Sequence, residues 1–189
     1  MIRFISTDLP GVIVIEPQVY RDHRGYFLET FHAENYRRGG LPSSFVQDNH
    51  SCSIRNTLRG LHLQRRKPQA KLIRVIEGQI WDVAVDVRPD SPTFGRWTGL
   101  LLSAENFKQL YIPAGCAHGF CVLSERAQVE YKCTALYDPS DEIGIAYNDP
   151  TLDIPWPVDS PVVSERDRNN PPLSKITGTT SSKFSKLCS

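Results

Sequence analysis

An imidazole set beside a dense patch of positive charge is the first chemistry legible in this 189-residue chain. His62 lies in Leu58-Arg59-Gly60-Leu61-His62-Leu63-Gln64, whose alternation reads as a β-strand, with Arg59 three residues before it. Arg65-Arg66-Lys67 follows, then Lys71 and Arg74. The stretch from Arg55 to Arg74 thus holds seven Lys/Arg and no Asp or Glu, in a chain whose formal net charge is only +1. That imbalance argues for an anionic ligand brought close to a group that exchanges protons near neutral pH. On charge alone, a solvated basic loop is the competing reading.

Period-2 alternation adds partners, because residues i and i+2 of a strand share a face. It puts Gly60, His62 and Gln64 on one face, opposite Arg59, Leu61 and Leu63. Lys71 shares its face with Ile73 and Val75, and Tyr131 shares its face with Val129 and Cys133. Lys71 and Tyr131 are therefore polar residues on apolar faces, which points both into the interior of the fold. A buried lysine is rare without a partner or a purpose. A core tyrosine is common, so Tyr131 on this argument is equally a packing residue. A second cluster, Ile112-Pro113-Ala114-Gly115-Cys116-Ala117-His118-Gly119-Phe120, carries another histidine between two strand-like runs.

The elements that must position these residues are short and β-rich, punctuated by fourteen prolines and twelve glycines. Strands are expected at 12–15, 26–31, 45–51, 58–64, 71–76, 79–87, 97–102, 109–112, 119–123, 128–136 and 142–147. Residues 32–38, ending at Gly39-Gly40, form the best short helix. In the 79–87 strand Trp81, Val83, Val85 and Val87 share one face, while Asp82 and Asp86 take the other. About ten strands at this spacing predict an all-β antiparallel sandwich or barrel. From Asp149 the pattern changes to a proline-rich wrap of ordered loops and short helical turns. One domain over 1–173 and a disordered Ser/Thr/Lys-rich tail over 174–189 are the expected organisation.

Composition bounds the function. Hydrophobic content of 40% and charged content of 23% are globular values. Near-zero net charge argues against nucleic acid as a partner, and no run approaches the roughly 18 apolar residues of a membrane span. The N-terminus does not read as a secretory signal. Five cysteines (Cys52, Cys116, Cys121, Cys133 and Cys188) form no CxxC pair, and Cys116 and Cys133 sit among apolar residues. A reduced, cytoplasmic protein is expected.

Pro113-x-Gly115-x-x-His118 between two strands resembles the second signature of the cupin superfamily, small antiparallel barrels of the jelly-roll type. Metal-binding cupins carry His-x-His, then a Glu, a six-residue gap and a Gly. The matching positions here are His62-Leu63-Gln64, then Lys71, then six residues to Gly78. The second histidine is a glutamine, and the carboxylate has become an ammonium that repels a cation. The resemblance therefore implies a cupin-type antiparallel jelly-roll sandwich with short peripheral helices, no metal and no cofactor.

A longer ordered set of matches is more specific. Asp22-His23-Arg24-Gly25-Tyr26-Phe27-Leu28-Glu29, Gln47-Asp48-Asn49-His50-Ser51 and Leu58-Arg59-Gly60-Leu61-His62 resemble the dTDP-4-dehydrorhamnose 3,5-epimerase family. So do Lys71, Pro113 to Phe120, Val129-Glu130-Tyr131, Asp141-Glu142 and Ser164-Glu165-Arg166-Asp167. That likeness covers about residues 1–173. It implies proton transfer at C3 and C5 of a 4-keto-6-deoxy sugar carried on dTDP, both carbons being α to the C4 ketone. A base on one face, an acid on the other and positive charge at O4 would invert each centre.

What the resemblance implies for the residues follows that scheme. His62 is the base, oriented by Asp167; Tyr131 is the acid that returns the proton; Lys71 stabilises the enolate oxygen, aided by His118. Substrate contacts map to Arg24, Glu29, Gln47, Asp48, Asn49, Arg59, His118, Glu142 and Arg166, with Tyr137 and Phe27 as candidates for stacking on the thymine. The family commonly has Lys where this chain has Arg166, which keeps the charge and changes the geometry. Family members dimerise, and a neighbouring subunit supplies the residues matching Arg24 and Glu29. Arg65, Arg66 and Lys67 read as solvated loop charges. Rival readings are a C3-only epimerase, a 3,4-ketoisomerase, a metal-dependent oxygenase and a non-catalytic cupin that binds a sugar nucleotide.

Overall fold

The computed structural model describes residues 1–177, built mainly of antiparallel strands. β1 (Arg3–Ser6) and β2 (Ile13–Glu16) open the chain, followed by the hairpin of β3 (Val19–Asp22) and β4 (Gly25–Leu28), then α1 (Ala33–Arg38). β5 (Gln47–Ile54), β6 (Thr57–Gln64), β7 (Lys71–Glu77) and β8 (Gln79–Asp86) alternate between the two main sheets. β9 (Trp97–Ser103), β10 (Gln109–Ile112), β11 (Cys116–Val122) and β12 (Arg126–Cys133) follow. The C-terminal part holds β13 (Glu142–Gly144), β14 (Val162–Val163), α2 (Glu165–Arg168) and α3 (Leu173–Thr177).

Two sheets face each other. The first runs β1-β2-β10-β7-β12-β5. The second runs β13-β6-β11-β8-β9, with β14 added parallel to β6. This is the jelly-roll sandwich that the sequence leads one to expect. Alternation explains the layering. Inward residues of both sheets, among them Ile73, Val75, Ile80, Ala84, Leu110, Ile112, Phe120 and Val129, close one apolar core. The opposite face of β8, with Val83 and Val85, packs with Leu61, Leu63 and Ala117 under the C-terminal segment, where Ile145, Leu152, Ile154 and Leu173 are buried. Fully burying a side chain of this size stabilises by about 1.5–3 kcal/mol, so the proline-rich wrap is an integral layer. Trp97 Nε1 donates to Leu152 O at 2.9 Å and ties that layer to β9.

The outer face of the first sheet is covered by α1. His32 caps the helix by accepting from Asn35 N, with Glu34 in the first turn and Arg37 and Arg38 in the last. Those charges suit the helix dipole. Its buried face is Tyr36, packed with Ile15, Leu72 and Tyr111 and hydrogen-bonded to Gln109 Oε1 at 2.7 Å. β3 and β4 form a small sheet of their own, leaving Tyr20, Tyr26 and Phe27 exposed. No helix among the described residues is long and apolar enough to cross a membrane.

Several boundaries differ from expectation. β11 begins at Cys116, so His118 is a strand residue with a fixed direction. β12 stops at Cys133 and β13 has three residues, because the intervening chain is held by side chains rather than by a ladder. α3 occupies Leu173–Thr177, where the sequence suggested an unstructured tail from residue 174, and Ile176 packs onto the wrap. The rest of that tail, 178–189, lies outside the described residues.

Candidate active site

At one end the space between the sheets is a polar cavity of about 380 Å³. The second sheet contributes His62 from β6 and His118 from β11, which are register partners on adjacent strands. Alternation alone put Arg59 on the face opposite His62, and the structure corrects that. The β6–β11 register shifts between His118 and Phe120, so Gly60 and Leu61 together oppose Gly119. A bulge of this kind resets the alternation. Arg59 and His62, three residues apart, consequently both line the cavity.

Gly60 permits the bulge. Its φ is +109°, and a Cβ there would meet His118 O at 2.5 Å and Gly119 Cα at 2.6 Å. Gly60→Ala is expected to cost about 1–3 kcal/mol of stability, read as a lower denaturant midpoint at unchanged m-value. Turnover should fall with it, because Gly60 lies two residues from His62 and its added Cβ would press on the backbone of His118.

His62 Nε2 donates to Asp167 Oδ1 at 2.5 Å, and the other carboxylate oxygen of Asp167 accepts from Gly60 N at 3.3 Å. Asp167 is delivered by α2: Ser164, the N-cap, accepts from Asp167 N at 3.0 Å. Burial by itself would raise the Asp167 carboxyl. The bonds from His62, Gly60 and Ser164 outweigh that and hold it below the ordinary carboxylate range. With Nε2–H committed to Asp167, the Nδ1 of a neutral His62 is left as a free lone pair, a base. Its nearest charged neighbour is Glu142 Oε1 at 3.9 Å.

A second His–Asp pair stands beside the first. His118 Nε2 lies 3.1 and 3.0 Å from the two carboxylate oxygens of Asp82, which is fully buried. Asp82 was missed as a site residue. A signal was present, since Asp82 shares its face with Ile80 and Ala84, both in the core between the sheets. The Asp82 carboxylate fixes the His118 ring, which lines the cavity.

The first sheet supplies the facing wall. Lys71 on β7 and Tyr131 on β12 both line the cavity, and the Lys71 Nζ lies 5.9 Å from the centroid of the Tyr131 ring. Burial pulls the Lys71 ammonium below its ordinary value, against the pull of Cys133, Glu142 and Asp82. Burial also raises the Tyr131 phenol, with Cys133 and Glu142 adding to it. Tyr131 therefore keeps its proton at neutral pH and can donate it.

The mouth holds Tyr137, Glu142 and Arg166 as one cluster. Tyr137 Oη donates to Glu142 Oε2 at 2.9 Å, and Arg166 pairs with the same carboxylate. The Tyr137 hydroxyl and Glu142 raise the Arg166 guanidinium further, against a smaller effect of burial. Arg59 Nε donates to Ser53 Oγ at 3.0 Å. Gln47 and Asn49 line the cavity, with Gln47 Nε2 donating to Asn49 Oδ1 at 3.0 Å.

The remaining sequence candidates do not join this group. Asp48 sits on the outer face of β5, paired with Lys132 Nζ at 2.9 Å. Arg24 pairs with Asp22 at 2.6 Å in the exposed hairpin, Phe27 is 71% exposed, and Glu29 accepts from Asn35. None of the four lines the cavity of its own chain. Arg66 is more than a solvated charge: its backbone N–H and its Nε both donate to the buried Asp141. Ser51, Gln69, Phe120 and Ser164 also line the cavity, unforeseen from the sequence.

Compared with known proteins, residues 6–175 match the family model described as dTDP-4-dehydrorhamnose 3,5-epimerase. The chain is 55% identical over 174 residues to the dTDP-4-dehydrorhamnose 3,5-epimerase of Methanothermobacter thermautotrophicus, a match covering 90% of this chain and 94% of that one. To the enzyme of that name from Pseudomonas aeruginosa it is 53% identical over 162 residues, covering 85% and 90%. Among solved structures, the Legionella pneumophila dTDP-6-deoxy-D-glucose-3,5-epimerase in complex with dTDP-4-keto-L-rhamnose matches with a TM-score of 0.90 at 46% identity. That match covers 93% of this chain and 95% of the other.

Proposed function

The chain belongs to the dTDP-4-dehydrorhamnose 3,5-epimerase family, and from that premise we propose that its cavity inverts C3 and C5 of dTDP-4-dehydro-6-deoxy-D-glucose, giving dTDP-4-dehydro-L-rhamnose. The observation that carries this reading is that His62 and Tyr131 line one cavity from opposite sheets. A sugar ring between them meets a base on one face and an acid on the other.

His62 Nδ1 takes the proton from the carbon α to the ketone, and the electron pair moves onto O4 as an enolate. Asp167 stabilises the imidazolium that forms. Lys71 offers positive charge to O4, aided by His118. Tyr131 then protonates the same carbon from the opposite face, which inverts it. The imidazolium loses its proton and the phenolate regains one from solvent, so the enzyme returns to its starting state. Repeating the cycle at the second carbon completes the conversion.

Arg59 and Arg166 suit the diphosphate, and Tyr137 suits the nucleobase. Arg24, Phe27 and Glu29 stand clear of their own cavity, and we assign Arg24 and Glu29 to the pocket of a second copy in a homodimer. No metal enters the scheme, because Lys71 stands at a ligand position and Gln64 is committed to backbone groups. Free Cys52, Cys116, Cys121 and Cys133 suit a reducing, cytoplasmic setting.

Incubation with dTDP-4-dehydro-6-deoxy-D-glucose in D₂O, followed by NMR, tests the reading. Deuterium at both C3 and C5, undiminished by a chelator, is the expected result. Label at C3 alone would make the protein a single epimerase, and no label would leave only a binding role.

A further inference from the structure

Residues 134–141 have no regular strand or helix, yet they bring Tyr137 to the mouth of the cavity and lead into Glu142. Backbone groups outside a ladder need other partners, and here side-chain amides provide them. Gln64 Nε2 donates to Leu136 O at 3.2 Å and to Lys67 O at 2.9 Å, while its Oε1 accepts from Asp138 N at 2.6 Å. Between those two contacts sits Tyr137, whose own N–H donates to Gln47 Oε1 at 2.7 Å. Gln69 Nε2 adds a bond to Ala135 O at 2.7 Å.

Gln64 is 3% exposed and does not line the cavity. Its amide is spent on holding loop backbone, mostly the peptide units on either side of Tyr137. The far end of that ring is held by the bond from its hydroxyl to Glu142. The ring is thus fixed at both ends before any ligand arrives.

We infer that Gln64 is a positioning residue for nucleobase recognition: it clamps the backbone around Tyr137 so that the ring is set to stack on the base of the bound nucleotide. The inference rests on the reading above, in which Tyr137 receives the base of a dTDP-sugar. Stacking depends on ring angle, and an ordered ring loses less freedom on binding. Without the Gln64 amide, Leu136 O and Asp138 N lose their partner and the segment can reorient.

A double-mutant cycle read by calorimetric titration of dTDP tests this. Gln64→Met keeps the volume and removes all three bonds; Gln64→Glu keeps the acceptor for Asp138 and serves should the first variant unfold. Tyr137→Ala is expected to weaken dTDP by about 5- to 100-fold. The Gln64 variant should weaken it by about 3- to 10-fold, and by no further factor in the Tyr137→Ala background. In turnover, KM should rise while kcat stays within about twofold, a split that general loss of structure does not produce.

Wild-type affinity in the Gln64 variant, an equal loss in both backgrounds, or a fall in kcat alone would overturn the inference. So would an unaffected Tyr137→Ala. A wild-type protein that does not bind dTDP would instead overturn the ligand reading itself, and the two failures are told apart in the first titration.

Discussion

His62→Asn is expected to lower kcat by about 10²–10⁴-fold and to abolish deuterium uptake at both C3 and C5. Asp167 still accepts from Gly60 N, so α2 and the bulge at Gly60 keep an anchor. What disappears is the lone pair on Nδ1, the base of the proposed proton transfer. Neither neighbour replaces it. His118 is engaged by Asp82, and Glu142 is paired with Arg166 and Tyr137. NMR in D₂O reads exchange directly and separates a lost base from a lost product. Exchange that persisted at either carbon would move the base to another residue. Affinity for dTDP should change little, because the proposed role of His62 is toward the sugar and not the nucleotide.

Tyr131→Phe should give a different failure. The base remains, so the α-proton still leaves and the enolate still forms. Without the phenol, reprotonation comes from the imidazolium on the same face, which restores the starting configuration. Deuterium should therefore enter the substrate while net epimerisation falls by about 10²–10⁴-fold. The ring itself stays, so its packing against the core and the Lys71 ammonium is kept. The measurement is the ratio of label in recovered substrate to product formed. A variant with unchanged kcat, or one that lost exchange and inversion together, would remove Tyr131 from the acid role.

Much of this site was legible in the chain because its residues violate the alternation around them. Lys71 and Tyr131 stood out as polar groups among Ile73, Val75, Val129 and Cys133, and Asp82 carried the same signal between Ile80 and Ala84. The strands themselves are short and well punctuated, so their order and most of their boundaries followed. The Arg59–His62 pairing was not legible. A bulge depends on what Gly119 allows across the ladder, and no local rule reports that. The Tyr137–Glu142–Arg166 cluster was equally hidden as a unit, since its members come from a loop, a three-residue strand and a four-residue helix. The hairpin residues Arg24, Phe27 and Glu29 mark a third limit, because a single chain carries no record of what lies beyond its own surface.

The proposed base, His62, and acid, Tyr131, belong to different sheets, and no hydrogen bond among the described residues joins them. Their separation is set by the packing of Ile73, Val75, Ile80, Leu110, Phe120 and Val129 further down the sandwich. Facing sheets stand about 10 Å apart, and the side chains between them act as spacers. The sandwich is in effect a gauge whose jaws are His62 and Tyr131 and whose setting is the thickness of hydrocarbon behind them. A methylene added or removed in that core changes the gap without touching a polar group. Fidelity of inversion, the share of enolates protonated from the far side, is thereby a quantity the apolar interior adjusts.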